Sequence, residues 1–374
     1  MRRVVLVLAW LAFVFLLLEG AGLVFYKLEV SQPVSGYGYP AGLIVPHPQL
    51  GYLYQPGYSG HFKGTAYHDI PIAINPQGFR DRDFAAAAGD GKRVAVLGDS
   101  VVFGAGVRQD HRFTECLDAA GRNADGKGPR LLNLGVNSYT FGHYLTLAQQ
   151  DFFGAEPDVA LIGITLNDFE SMEGVGPARR MRRHESGLHA PDWLGRIGDR
   201  IERTYAGRFV HELDNRFSYA MLNADEREEY HTKWMRTVVN GWRSDANRQS
   251  FSDQLDALTT VLDQAHIPFG FILFPELNDL QHPDEFGEPR HIVRGLLDQR
   301  GLQYCDPYDD FARHSNLPSL FLARDSIHYS RKGHQVLCGA IEHCIDAMDL
   351  GGSPRPSHAE GSSAAQAGRP ITER

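Results

Sequence analysis

The chain predicts an α/β fold, a three-layer α/β/α sandwich around a five-stranded parallel sheet, with one transmembrane helix at its N-terminus. Three observations carry this expectation. Five short apolar runs, Arg93–Leu97, Leu131–Leu134, Asp158–Ile164, Pro268–Phe274 and Leu302–Cys305, are rich in Val, Ile, Leu and Phe. Runs so poor in charge suit strands buried on both faces, as in a parallel sheet. Stretches of helical character separate them, and strand–helix alternation with short strands implies a doubly wound sheet. The third observation is the unbroken apolar segment near the start of the chain.

That segment runs from Val4 to Leu18 and stays apolar past Glu19 to Tyr26, preceded by Arg2 and Arg3. About 20 apolar residues span a bilayer core. The arginines hold its start in the cytoplasm, which places the rest of the chain outside. A cleaved signal is the alternative, but Gly20-Ala21-Gly22 is a poor cleavage site and no cysteine follows for lipidation. Glu19 is costly in lipid and belongs at the outer interface or against a partner helix.

Residues 28–90 read as an extended, partly β arm, rich in Gly, Pro and Tyr, with short alternating stretches such as His68–Asn75. Its six tyrosines between Tyr37 and Tyr67 either stack on sugar rings or pack the arm. The helices Thr114–Ala120 and Tyr144–Phe152 flank the second strand. Phe251–Ala265 carries Leu255, Leu258, Val261 and Leu262 at helical spacing and leads into the fourth strand; His291–Arg300 leads into the fifth. The last helix starts at the N-cap Ser330. Between the third strand and Phe251 lies an insertion, 169–250, too long for a bare loop. Its pieces Trp193–Phe209 and Asp225–Trp242 predict a helical cap. The alternating α/β region thus spans 91–349, and the Gly/Ser/Pro/Ala-rich tail after it, 350–374, has no hydrophobic period.

Composition sets bounds on function. Of 374 residues, 37 are Lys or Arg and 46 Asp or Glu, a net charge of -9, so nothing supplies the phosphate neutralisation of a nucleic-acid coat. Apolar residues at 43% and charged residues at 22% describe a packed globular protein. Four cysteines make no Cys-x-x-Cys pair. Cys338 and Cys344, six apart on one helix, face different sides and read as small buried apolar residues; Cys116 and Cys305 pair only if the fold joins them. There is no P-loop, no complete dinucleotide fingerprint, no His-Glu-x-x-His and no Gly-x-Ser-x-Gly. No cofactor and no metal is expected.

The chemistry-bearing residues fall at strand ends. Gly98-Asp99-Ser100 follows the first strand and presents a hydroxyl at a helix start, where the dipole favours negative charge. Gly135 ends the second strand, where a missing Cβ lets a backbone N–H approach a ligand oxygen. Asn167 and Asp168 follow the third strand, and an amide there suits an oxyanion. Asp325 stands three residues before His328, a spacing that lets a carboxylate fix the imidazole tautomer. Each is weak alone; their conjunction in this order is not.

With these blocks assembled, the chain from about Arg93 to Asp349 resembles the SGNH (GDSL-type) hydrolase family, of flavodoxin-like fold. Gly98-Asp99-Ser100 with Gly104 and Gly106 matches its first block, Gly135 its second, Asn167 its third, and Asp325 and His328 with Gly333 its last. Ile74-Asn75-Pro76-Gln77-Gly78-Phe79-Arg80 is similar to a segment of membrane-anchored bacterial members. Thr165 stands where the family usually has glycine. The resemblance implies Ser100 as nucleophile, His328 as general base and then acid, and Asp325 as its orienter. It further implies an oxyanion hole from the Ser100 and Gly135 N–H groups and the Asn167 amide. The implied protein is a membrane-anchored, periplasmic serine esterase acting on O-acyl esters of a small molecule or glycan. The alternatives are an O-acyltransferase on an envelope or exported glycan and a non-catalytic binding protein.

Overall fold

The computed structural model describes residues 2–27, 39–40, 42–64, 68–85, 91–121, 129–174, 204–323 and 325–348. The chain begins with helix α1 (Arg2–Lys27). Two antiparallel hairpins follow, β1 (Ile44–His47) with β2 (Gly51–Tyr54), and β3 (Ser59–Gly64) with β4 (His68–Ala73). Next come β5 (Arg93–Gly98), the short helix α2 (Ser100–Phe103), α3 (Phe113–Gly121), β6 (Arg130–Gly135), α4 (Phe141–Gln149) and β7 (Val159–Ile164). Helices α5 (Tyr205–Met221), α6 (Ala224–Trp242) and α7 (Asp245–Gln264) lead to β8 (Phe269–Leu273). Then α8 (Leu277–Gln281), α9 (Pro283–Phe286) and α10 (Glu288–Asp298) precede β9 (Tyr304–Cys305). The series ends with α11 (Tyr308–Ala312) and α12 (Arg331–Ala347).

The five predicted runs are the five strands of one parallel sheet, in the order β6-β5-β7-β8-β9. Chain progression reverses direction at β5, which puts a ligand crevice at the carboxyl ends of β5 and its neighbours. Strand alternation sorts the apolar side chains onto two faces. Ala95, Leu97, Leu134, Ile162 and Phe271 join one core with Tyr144 and Leu147 of α4, Leu255 and Leu258 of α7, and Val293 of α10. Val94, Val96, Leu161 and Ile272 join the other, with Phe113 and Leu117 of α3 and Leu337 and Ile341 of α12. Each such side chain, once buried, contributes about 1.5–3 kcal/mol. This is the three-layer sandwich the sequence predicts.

One open alternative is resolved and two expectations need correction. The arm tyrosines Tyr52 and Tyr54 are fully buried and are packing residues rather than sugar platforms. The Tyr52 hydroxyl donates to the Asn137 carbonyl at 2.6 Å, and the Asn137 N–H donates to the Tyr54 hydroxyl at 2.9 Å. Secondly, no cysteine is merely apolar filler. Cys116 of α3 is bonded to Cys338 of α12, and Cys305 of β9 to Cys344 of α12, with Cα–Cα distances of 6.1 and 5.8 Å. The six-residue offset on α12 aims the two sulfurs at different neighbours, so each finds its partner across the fold. Thirdly, α7 starts at Asp245, capped by Ser244, inside the expected insertion. Of that insertion's helical pieces, the second is α6, whose start is fixed by a reciprocal Asn223–Glu226 capping box. Residues 175–203, most of the first piece, and the tail 350–374 lie outside the described residues.

Arg80, from the segment Ile74–Arg80, fastens the arm beneath the sheet's carboxyl edge. Its guanidinium is fully buried and donates to the carbonyls of Phe103, Gly104, Val107 and Pro71 at 3.2, 2.8, 2.9 and 3.2 Å. Asn75 shapes that segment by accepting from the N–H groups of Gln77 and Phe79 at 3.0 and 2.9 Å.

Candidate active site

Ser100 is the first residue of α2, directly beyond β5. Gly98 is required there, since a Cβ would lie 2.2 Å from a Val102 methyl. Asp99 caps the helix, its Oδ1 accepting from the Val101 N–H at 2.8 Å. Gly104, in the left-handed region at φ 75, closes α2 after a single turn. The Ser100 side chain is half-buried. Its Oγ lies 2.8 Å from His328 Nε2 and 3.3 Å from Asp99 Oδ2.

His328 sits in a loop closed by the antiparallel bridge between Phe321 and Tyr329. The Leu322 N–H donates to the His328 carbonyl at 2.9 Å, and the Tyr329 hydroxyl ties the loop to the Pro275 carbonyl beyond β8 at 2.7 Å. Asp325 Oδ2 lies 2.6 Å from His328 Nδ1. Its Oδ1 accepts from the N–H groups of Ile327 and His328 at 2.9 and 3.0 Å, which fixes the carboxylate itself. Burial opposes charge on both groups, but their mutual attraction and hydrogen bond outweigh it. His328 is therefore held above the ordinary histidine pKa and Asp325 below the ordinary carboxylate range. The three residues predicted to act together, 228 positions apart at their ends, are thus joined in one hydrogen-bonded line. A hydroxyl so placed can pass its proton to Nε2 while Nδ1–H stays on the carboxylate.

The other predicted residues divide. Asn167 is half-buried beyond β7, and its side-chain amide has no hydrogen-bond partner among the described residues. Asp168 turns inward, is fully buried, and accepts from the Tyr144 hydroxyl at 3.1 Å and the Thr165 N–H at 3.0 Å. Burial, then the nearby Asp99 carboxylate, pushes its pKa well up. Gly135 lets β6 approach α2, for a Cβ there would meet the Phe103 nitrogen at 2.2 Å. Its N–H, however, donates to Asn133 Oδ1 at 3.0 Å and does not face the crevice unengaged. Three residues on, Ser138 adopts φ 62, and its N–H has no partner among the described residues. A serine in that region is uncommon and is held there by its surroundings.

Sequence reasoning missed the brace beneath these groups. The Thr165 hydroxyl donates to Asp99 Oδ2 at 3.2 Å, linking the β7 turn to the β5 turn that carries Ser100. Thr165 drew notice only as a departure from glycine, and its hydroxyl is what the departure adds. The Trp242 indole N–H, at the end of α6, donates to the Leu166 carbonyl at 2.5 Å and pins the same turn from the far side. A cavity of about 500 Å³ opens beside Asp325, walled by Leu322, Ser326, Leu277 and Gln281 and by Thr232 of α6.

No family model matches this sequence and no curated protein matches it. Among solved structures, an acetylxylan esterase from Geobacillus stearothermophilus, solved as a catalytic mutant, is 15% identical with a TM-score of 0.39. That match covers 69% of this chain and 96% of that one. A lipase/acylhydrolase from Enterococcus faecalis is 11% identical with a TM-score of 0.38, covering 68% and 96%. An α/β hydrolase from the metagenome of Lake Arreo, Spain, is 18% identical with a TM-score of 0.38, covering 69% and 98%. Likenesses this distant carry no functional argument, and the reading below rests on the site itself.

Proposed function

We propose that this chain is an SGNH-type serine esterase that cleaves O-acyl esters through an acyl-enzyme. The observation that carries the reading is the Ser100–His328–Asp325 line at the carboxyl edge of the sheet, with Nε2 2.8 Å from Oγ. Ser100 Oγ attacks the ester carbonyl as His328 takes its proton. The imidazolium then protonates the departing alcohol, and water, activated by His328, releases the acid. The transient oxyanion accepts from the Ser100 N–H, the Asn167 amide and, since the Gly135 N–H is engaged, the Ser138 N–H. The cavity beside Asp325 has the size of a small-ligand site, and α6 gives the insertion a part in choosing what enters.

The catalytic body is proposed to lie outside the cytoplasm, tethered by α1. Its span Arg2–Val24 has a mean hydropathy of 2.5 and is long enough to cross a bilayer. Two disulfides add an independent reason, because such bonds persist in oxidising compartments.

The test is turnover of an acetylated chromogenic ester by the purified chain, with and without an oligosaccharide acceptor. Release of free acid unaffected by the acceptor supports hydrolysis. Acyl groups recovered on the sugar would make the chain a transferase instead, and no turnover at all would leave it a binding protein.

Two substitutions probe the roles. Asn167→Ala should lower kcat about 10²–10³-fold with little change in KM, the usual effect of losing one oxyanion donor. A change in KM alone would make Asn167 a ground-state contact. Asp325→Asn should lower kcat about 10⁴-fold by releasing the tautomer. It should also move the acidic limb of the pH profile. Neutral His328 is the active form, and its raised pKa sets the pH below which activity is lost. Without the carboxylate that pKa falls, so the limb shifts to lower pH. A limb that stays put would remove His328 as the titrating base.

A further inference from the structure

Helix α1 exposes apolar side chains along nearly its whole length, Trp10 at 63% and Phe13 at 59% among them. Its single acidic residue is not left to lipid. The Glu19 carboxylate accepts from the N–H groups of Tyr205 and Ala206 at 3.2 and 2.7 Å, capping the first turn of α5. One turn on, Gly22 is buried, and a Cβ there would lie 2.1 Å from the Tyr205 carbonyl oxygen. The two helices are therefore in backbone contact, along the stripe of α1 that also carries half-buried Val14 and Leu18.

Having met α1, α5 turns an apolar stripe outward. Val210, Leu213, Phe217 and Met221 fall at intervals of three, four and four, on one helical face, and are 48%, 44%, 67% and 68% exposed. Among the described residues, every large hydrophobic side chain exposed to this degree lies on α1 or α5, apart from Tyr230 of α6. The body buries its apolar residues; these two touching helices do not.

We propose that the outward face of α5 is a second membrane contact, buried among the acyl chains of the bilayer that α1 spans. This rests on the reading of α1 as an anchor. Lipid is the fitting occupant because the α5 stripe begins where α1, apolar on all sides, is already in contact with it. The depth agrees as well. Glu19 is five residues short of Val24, the end of the apolar span, which places the start of α5 about 7–8 Å below that end. An amphipathic helix lies about 5–10 Å into the headgroup boundary. Asp214, four residues after Val210 and three before Phe217, shares the stripe's face, so that face sits at the headgroup boundary, as an interfacial helix allows and a spanning one does not. The body would then be held at two points, with its orientation to the membrane fixed.

The test uses the full chain reconstituted in vesicles of phosphatidylethanolamine and phosphatidylglycerol. The photo-crosslinker p-benzoylphenylalanine replaces, one at a time, Phe13 of α1, Phe217 of α5 or Glu229 of α6, and phospholipid adducts are measured by mass spectrometry after irradiation. The expected result is adducts at positions 13 and 217, each at least tenfold above position 229. Adducts at 13 with 217 no higher than 229 would overturn the α5 contact and leave the anchor standing. Absence of adducts at 13 and 217 would remove the anchor and the proposal with it. A protein–protein crosslink at 217 in place of lipid would assign the face to a second copy or another segment of this chain, and would equally overturn it.

Discussion

Replacing Ser100 by Ala is expected to lower kcat on the order of 10⁵–10⁶-fold while leaving the fold intact. Loss of a serine nucleophile removes the covalent route altogether, and a base without its hydroxyl recovers little of it. The stability side of the expectation comes from the contacts. Among the described residues, Ser100 Oγ bonds His328 Nε2 and, at 3.3 Å, Asp99 Oδ2. Asp99 keeps its bonds to the Val101 N–H and the Thr165 hydroxyl when the serine hydroxyl is gone. The change in unfolding free energy should therefore stay within about 0.5 kcal/mol. Ester turnover and a thermal melt on the same preparation check both halves. A variant keeping more than about a tenth of the parent kcat would take Ser100 out of the nucleophile's role.

The second large effect is on stability. Arg80→Ala should destabilise the protein by about 4 kcal/mol or more, or prevent its folding at growth temperature. Three buried carbonyls and that of exposed Pro71 lose the guanidinium together; Gly104 keeps the Val107 N–H, and each buried group left unsatisfied costs about 1–3 kcal/mol. The guanidinium also sits 5.0 Å from the Phe103 ring centroid, so its loss opens a void under α2. Lys is not expected to rescue it. An ammonium has three donors at one point, whereas these acceptors are spread along a planar fork. Denaturant unfolding of the two variants is the measurement. An Arg80→Ala protein within 1 kcal/mol of the parent would mean that water replaces the guanidinium and that the arm is not braced this way.

These two expectations differ in how they were reached. Ser100 could be singled out from the chain alone only through the conjunction of its Gly-Asp turn with Gly135, Asn167 and the Asp325–His328 spacing in that order, since each signal is weak by itself. Arg80 stood out in the chain only as the end of the segment Ile74–Arg80, through its similarity to membrane-anchored members of the resembled family. That it reaches across to the carbonyls behind the nucleophile helix is a property of the packed arm, which no local pattern encodes.

The sequence alone determined the elements whose cause is local or periodic. Apolar runs of four to seven residues became the five parallel strands, because residues buried on both faces must all be apolar. The last helix began at Ser330, because its hydroxyl accepts from the Gly333 N–H. Ser100, Asp325 and His328 followed from strand ends and a three-residue spacing. Tertiary structure decided whatever depends on which distant groups meet. It paired Cys116 with Cys338 and Cys305 with Cys344, since α12 lies between α3 and β9. It buried Tyr52 and Tyr54, engaged the Gly135 N–H with Asn133 and left that of Ser138 without a partner among the described residues. It also gave Glu19 two amides to accept from, on a helix nearly two hundred residues away. Hydrogen-bond partners and disulfides are short-range contacts between residues remote in the chain. Periodicity reports which face of an element is buried; only the assembled fold fixes what that face touches.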